Sequence, residues 1–340
     1  MFDALNPDWY YVAYASKGLI SWIAIALSSL SDTMPKQWRA PMFGLVLSGF
    51  SVGFFLSPIL AIFFSHFTTS LLSASLTLIS LTYTIFYLPE TLHVQEGTEA
   101  RLQRTEEYQQ RENESRLQCI LRGIYRPIKE LSILNRSNIF RLLSALAFFS
   151  GISLSADRTL LIYYVEDRLD FNDQDVAFLF GLIGIIGVLY QSVLLKLMTD
   201  LIGEKFVVVT AFICGAMTNI LYSFANTKST IFFSVVISSF TGMSFPTISA
   251  IKSNNAAENE QGRIQGALYA LSSLADAIGP PVLRAGYQKT KDTTTPGSFF
   301  LIAALFYVFA VFVACLLPKD RANASRRDRH SYNEISLTEY

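Results

Sequence analysis

Charge is scarce in this chain. Only 16% of its 340 residues are charged, against 51% hydrophobic residues and a positive mean hydropathy, a balance far from that of an ordinary soluble domain. The 27 basic and 27 acidic side chains cancel. No global field therefore argues for nucleic acid as a partner, and the basic residues must be read by position. Cysteine is sparse too. Cys119 lies in a charged stretch, while Cys214 and Cys315 lie inside apolar runs without a CxxC spacing, which excludes a disulfide framework and a zinc site. The three histidines, His66, His93 and His330, are scattered, and no nucleophile elbow or phosphate loop is present, so the chain does not read as an enzyme and calls for no cofactor and no metal. A basic segment followed by a short apolar core is missing from the start, so no signal peptide is expected.

What the chain has is long apolar blocks, such as 42–64 and 299–317, which approach the roughly 20 residues a helix needs to cross the hydrocarbon layer. Apolar windows predict spans at 9–30, 42–64, 67–88, 139–164, 175–198, 206–225, 229–250, 264–287 and 298–317. The expected fold class is an all-α, polytopic membrane protein, a helical bundle of about nine spans. The spans holding Lys17 and Asp276 are the least hydrophobic, so eight is the alternative count. The alternation of a membrane barrel is missing. A mixed-charge segment, TEEYQQRENESRLQ, lies within a long linker at 89–138 and separates three spans from six. It reads as a solvated linker or as a docking element.

Loop charge sets an expected orientation. Lys36 and Arg39, nine basic residues from Arg101 to Arg141, then Lys205, then Lys252 and Arg263, and the basic tail from Lys319 to Arg329 all fall on one side. The alternate loops hold only Arg168, Lys228, Lys289 and Lys291, and the 166–175 loop is acidic. The positive-inside rule then puts the C-terminus in the cytoplasm and the N-terminus outside or in a lumen.

Small residues recur on helix faces. Gly49, Gly53 and Ser57 line one face of the second span just before Pro58; Gly184, Gly187 and Gln191 do so in the fifth. Gly266, Ala270, Ser273 and Ala277 repeat the pattern in the eighth, and Gly279, Pro280 and Pro281 are expected to break its outer end. Such faces serve general packing, or they serve helices that rock and bend. The amide of Gln191 should face a neighbour or a cavity. Ionisable groups fall within spans at Lys17, at the pair Asp157 and Arg158, and at Asp276, where burial in lipid would cost about 2.5 to 3.5 kcal/mol each. Lys17 lies about 12 Å from the outer end of its span and Asp276 about 18 Å from the inner start of its own, both near the midplane. Asp157, about 27 Å along, is expected to line an outer vestibule. Lys17 can alternatively snorkel outward. Together, Lys17, Asp157, Arg158, Gln191 and Asp276 are the candidate transport-pathway residues.

LSDTMPKQWRAPMFGLVLSGFSVGFFLSPIL, YLPET, QSVLLKLMTDLIGEKFVVV and, most specifically, SFPTISAIKSNNAAENEQGRIQGALYALSSLADAIGPP resemble the major facilitator superfamily. Within it they look most like the tetracycline-resistance-type group and its hippocampus-abundant-transcript-like members. By that resemblance Gly44, Gly53, Ser57 and Pro58 fall on the proton-antiporter motif of the family's fifth helix, with Ser57 replacing a glycine and Ala61 and Ile62 replacing a glycine pair. Asp200, Gly203 and Lys205 fall on a reduced cytoplasmic gating motif. Lys17 and Gly18 lie near a basic residue and a glycine of the fourth helix. The resemblance implies twelve helices in two halves, so that 1–88 is an incomplete N-terminal bundle, 89–138 a cytoplasmic linker, 139–317 a six-helix bundle and 318–340 a cytoplasmic tail. It implies a secondary transporter of a small solute working by alternating access, N-terminally truncated, with the lipid bilayer as surroundings and the proton as candidate coupling ion. The alternative is a non-transporting membrane protein that keeps the fold as an interaction or regulatory module.

Overall fold

The computed structural model describes residues 21–88, 131–257, 260–293 and 295–318. Among them lie nine long helices and no strand: α1 Trp22–Thr33, α2 Arg39–Phe63, α3 His66–Tyr87, α4 Asn138–Leu169, α5 Asp173–Ile202, α6 Glu204–Ser223, α7 Lys228–Asn254, α8 Gln261–Thr290 and α9 Phe300–Cys315. Each matches a predicted span, within a few residues except where α1 begins at the limit of the described stretch. Seven are long and apolar enough to cross a membrane; α1 and α8 are not, α8 because Asp276, Arg263 and Arg284 dilute it. Most of the linker and all of the tail from 319 lie outside the described residues, as do Lys17 and Gly18.

Helix starts follow from side-chain chemistry. Ser21, Ser65, Ser137 and Thr227 each accept a bond from a backbone N–H one turn on, supplying a partner to donors the helix leaves open. Asn172 and Asp175 form a reciprocal capping box at the start of α5, and Asp175 also pairs with Lys228. The acidic loop is thereby spent on caps and an ion pair. Asp170, at φ 49°, turns the chain left-handed between α4 and α5.

The last six helices pack as a compact group. α4 lies against α8 and α9, and α6 against α7 and α9. One end is filled by Tyr164, Phe171, Tyr222, Tyr287, Phe299 and Phe300, the other by Leu143, Leu146, Phe212, Ile248, Leu268 and Tyr307. α2 runs along α5 and the C-terminal end of α7, and α1 along α8. α3 touches little besides α2 and is exposed along its length. Its hydroxyls at Thr69, Ser75, Thr77, Thr82 and Thr84 bond back to carbonyls one turn earlier at 2.8 to 3.1 Å, which suits a face turned to lipid.

Two helix expectations are corrected. Gly279, Pro280 and Pro281 do not break α8, which runs on to Thr290, and α2 likewise passes Pro58 to Phe63. In α8 the turns beyond the prolines are held by burial of Leu283 and Tyr287 in the aromatic cluster, and packing outweighs the lost backbone bonds. The loop between the seventh and eighth spans also starts later than expected: Lys252, read as a loop residue, is in α7 and fully buried.

Candidate functional site

The first three helices meet the last six along a seam of close backbones. A side-chain carbon on Gly184 would collide with the backbone of Phe55, one on Gly187 with Ser51, and one on Gly44 would sit 2.7 Å from the carbonyl of Gln191. The packing face of α2 is therefore Gly44, Leu47, Ser48, Ser51 and Phe55. The stripe of Gly49, Gly53 and Ser57 lies on another side of the same helix. Gly49 and Gly53 have no neighbour within 4 Å among the described residues and Ser57 is exposed, and on α8 the same holds for Gly266, with Ala270, Ser273 and Ala277 exposed. The buried face of α8 is instead Ile264, Ala267, Leu268, Ala275 and Gly279, where Gly279 lies on the Ile152 carbonyl and Ser155 of α4.

At one end the seam is closed by a polar clasp. Arg39, 6% exposed at the start of α2, donates to the carbonyls of Ser31 (2.8 Å), Met34 (3.3 Å) and Ser253 (2.9 Å). A guanidinium holds five donors in a rigid fork, which lets one side chain bridge α1, the turn after it and α7. The Ser253 hydroxyl donates to Gln261 Oε1 (2.7 Å) and lies 3.0 Å from the Ser31 hydroxyl, while Gln261 Nε2 donates back to the Ser253 carbonyl (3.1 Å). Beside it the Lys196 ammonium sits 3.8 Å from the Trp38 ring centroid, a second polar tie across the same end.

In the middle of α5 a π turn at Tyr190–Leu194 faces a 3₁₀ stretch at Ser239–Met243 in α7, with the rings of Tyr190 and Phe240 at 4.5 Å. Gln191 is in the π turn. Its Nε2 lies against Gly242, so the amide does face a neighbouring helix, and its Oε1 is buried without a hydrogen-bond partner among the described residues.

The intramembrane charges divide. Asp157 lies within α4, which continues to Leu169, and its carboxylate accepts from Asn219 Nδ2 of α6 at 2.9 Å while its other oxygen is buried and unpartnered among the described residues. Arg158 and Asp276 are both exposed, on α4 and α8, two helices packed against each other. Gly203, at φ 85°, makes the turn between α5 and α6 that only glycine takes without strain, and Asp200 is exposed just before it. Lys205 donates to the carbonyls of Cys315 and Leu317, capping the end of α9. No cluster of metal-ligating residues occurs among the described residues.

Several of these residues escaped the sequence reading. From the sequence alone Arg39 and Lys252 look like loop charges, and nothing marks out Ser31, Ser253 or Gln261. A lone amide within an apolar run was the available signal for Asn219.

The pattern of the Major Facilitator Superfamily matches residues 7–280 and 192–337. Among known proteins, the human Hippocampus abundant transcript-like protein 1 is 20% identical over 96% of this chain and 66% of its own length. The class G tetracycline resistance protein of Vibrio anguillarum is 23% identical over 85% of this chain and 68% of its own. The crystal structure of the human organic anion transporter MFSD10 superposes with a TM-score of 0.68 at 17% identity, covering 86% of this chain and 67% of that one, a likeness of fold. The chain thus spans about two thirds of the length of the relatives it matches. With a match over most of its length and nine helices arranged as described, the chain is a multi-pass membrane protein that belongs to the major facilitator superfamily.

Proposed function

We propose that this chain works as part of a secondary transporter of a small organic solute, by alternating access of two helix groups about a midplane site. The observation that carries the reading is the clasp. The two groups are joined at one end by the hydrogen bond from Arg39 to the Ser253 carbonyl of α7 and by the contact of the Ser253 and Ser31 hydroxyls, contacts that can break and reform as units. Arg158 and Asp276, exposed on neighbouring helices, are the groups that face the solute, and Asp157 with Asn219 stiffens the wall behind them. Alternating access of matched bundles also needs further helices beside the first three, supplied upstream or by a second copy. Loop charge makes the clasp end cytoplasmic; sugar on Asn113, Asn135 or Asn323 would reverse that assignment.

The names of the relatives give the first solutes to try, tetracycline and organic anions. Vesicles holding a form with all its helices should take up one of them saturably, Asp276→Asn should reduce uptake or change its pH profile, and Arg39→Met should lower turnover at least about tenfold with the protein still inserted. Uptake unchanged in both variants would sink the reading. A well-folded protein that moves no solute but retains a partner would favour the interaction module.

A further inference from the structure

Asn219 of α6 is 0% exposed, inside the last six helices. Both hydrogens of its amide are spent: Nδ2 donates to Asp157 Oδ2 of α4 at 2.9 Å and to the Gly215 carbonyl at 3.1 Å. Those two acceptors fix which end of the amide is nitrogen, and the oxygen, Oδ1, is buried with no hydrogen-bond partner among the described residues. The second carboxylate oxygen, Asp157 Oδ1, is buried and unpartnered in the same way. A single hydrogen bond separates the two groups, so both oxygens belong to one polar spot.

The spot is where α4, α6 and α9 converge. Ser153, one turn before Asp157, donates to the Ala303 carbonyl of α9, and the Tyr307 ring of α9 lies against Gly215, one turn before Asn219. Tyr222 and Tyr307, each 1% exposed, bring further hydroxyl oxygens to the same stretch of α6 and α9. The nearest positive charge in sequence, Arg158, is exposed, and no ion pair to Asp157 occurs among the described residues. Two acceptors without a donor, one of them half of a carboxylate, thus stand together in an apolar interior. Buried charge in such surroundings is paired or coordinates a metal ion.

We infer that Asp157 and Asn219 hold a small monovalent cation, sodium, through these two oxygens. Acceptor oxygens from a carboxylate and an amide suit hard cations and not zinc or copper, so the site needs no cluster of histidine or cysteine. One carboxylate balances one positive charge, which favours a monovalent ion over calcium, whose sites draw on several carboxylates. The ion is a structural tie between α4 and α6 inside the last six helices. It makes no demand on the seam or the clasp, and neither Arg158 nor Asp276 is part of it.

The test is a thermal melt of the full chain, purified without sodium and read in sodium, potassium or choline chloride at equal ionic strength, which keeps screening the same in all three. Sodium should raise the midpoint over choline by at least about 4 °C, saturably, as binding to the folded state alone requires, and potassium should do less than about half as much. Asp157→Asn keeps the size of the side chain and removes its charge, and its midpoint should differ by less than about 1 °C between sodium and choline. Asn219→Ala, which carries the test if Asp157→Asn is not recovered folded, should need at least about tenfold more sodium for the same shift. Asp276→Asn should keep the wild-type sodium shift. Equal wild-type midpoints in the three salts would mean that the carboxyl carries a proton or a water, and they overturn the inference; so does a potassium shift as large as that of sodium, a sodium shift kept in Asp157→Asn, or one lost in Asp276→Asn. The readout is a melt, so a chain that moves no solute can still show the sodium shift, and a chain without the shift can still transport.

Discussion

Glycine shows at the residue scale how differently one side chain behaves by position. Gly184 and Gly279 are in direct contact with the backbone of another helix, whereas Gly49, Gly53 and Gly266 face open space among the described residues. Adding a methyl group at the first pair forces a backbone apart, which costs about 1 to 3 kcal/mol. At the second set it meets nothing, and alanine gains about 1 kcal/mol in helix propensity. We expect Gly184→Ala and Gly279→Ala to lower the thermal midpoint in detergent, and Gly49→Ala, Gly53→Ala and Gly266→Ala to leave it unchanged or raise it. Size-exclusion recovery after heating measures both groups in one experiment; equal effects across them would show that the seam is not where these contacts put it. The sequence could not separate the two sets. Helix α2 carries small residues on both faces, Gly44, Ser48 and Ser51 on one and Gly49, Gly53 and Ser57 on the other, and periodicity alone gives no preference between them.

Elements were far more legible than residues. Apolar blocks locate every helix because the bilayer imposes length and composition together, so the windows at 42–64, 67–88 and 139–164 match α2, α3 and α4 within a few residues, α4 overrunning at its C-terminal end. Charges near block ends misled the reading. Arg39 and Lys252 flank apolar runs and so look like loop residues, and only the fold reveals that Arg39 reaches a carbonyl 214 positions away. The π turn in α5 was equally invisible, since its cause is one residue more than the α-helical register between two packed segments needs. That origin is testable. Deleting Ser192, inside the π turn, should restore a plain α-helix with Gly184 and Leu195 still on the α2 side, shifting the unfolding temperature by less than about 4 °C. Deleting Ile185 instead rotates the first turns of α5 by about 100° against the remainder of the helix and should prevent recovery of folded protein. If both deletions were equally harmful, the π turn would not be a register-absorbing insertion.

At the scale of the whole molecule, the exposed small-residue faces of α2 and α8 carry the same message as the bare length of α3. In lipid, helices associate through close packing of small side chains and not through hydrophobic exclusion, so Gly49, Gly53, Gly266, Ser273 and Ala277 are surfaces suited to another helix. The proposal that further helices join the first three gives these faces their use. It also makes the glycine experiment conditional on the form of the protein. In the 340-residue chain, Gly49→Leu and Gly266→Leu should be tolerated, because no atom of another described element stands within 4 Å of a side-chain carbon placed on either glycine. In a form that carries three more apolar spans upstream, the same two substitutions should lower the thermal midpoint in detergent, because a leucine there would force a neighbouring backbone away by more than the helix gains. The comparison needs only thermal melts of four variants and their two parents. Identical tolerance in both forms would mean that these faces meet lipid, and that the smaller helix group is completed in some other way.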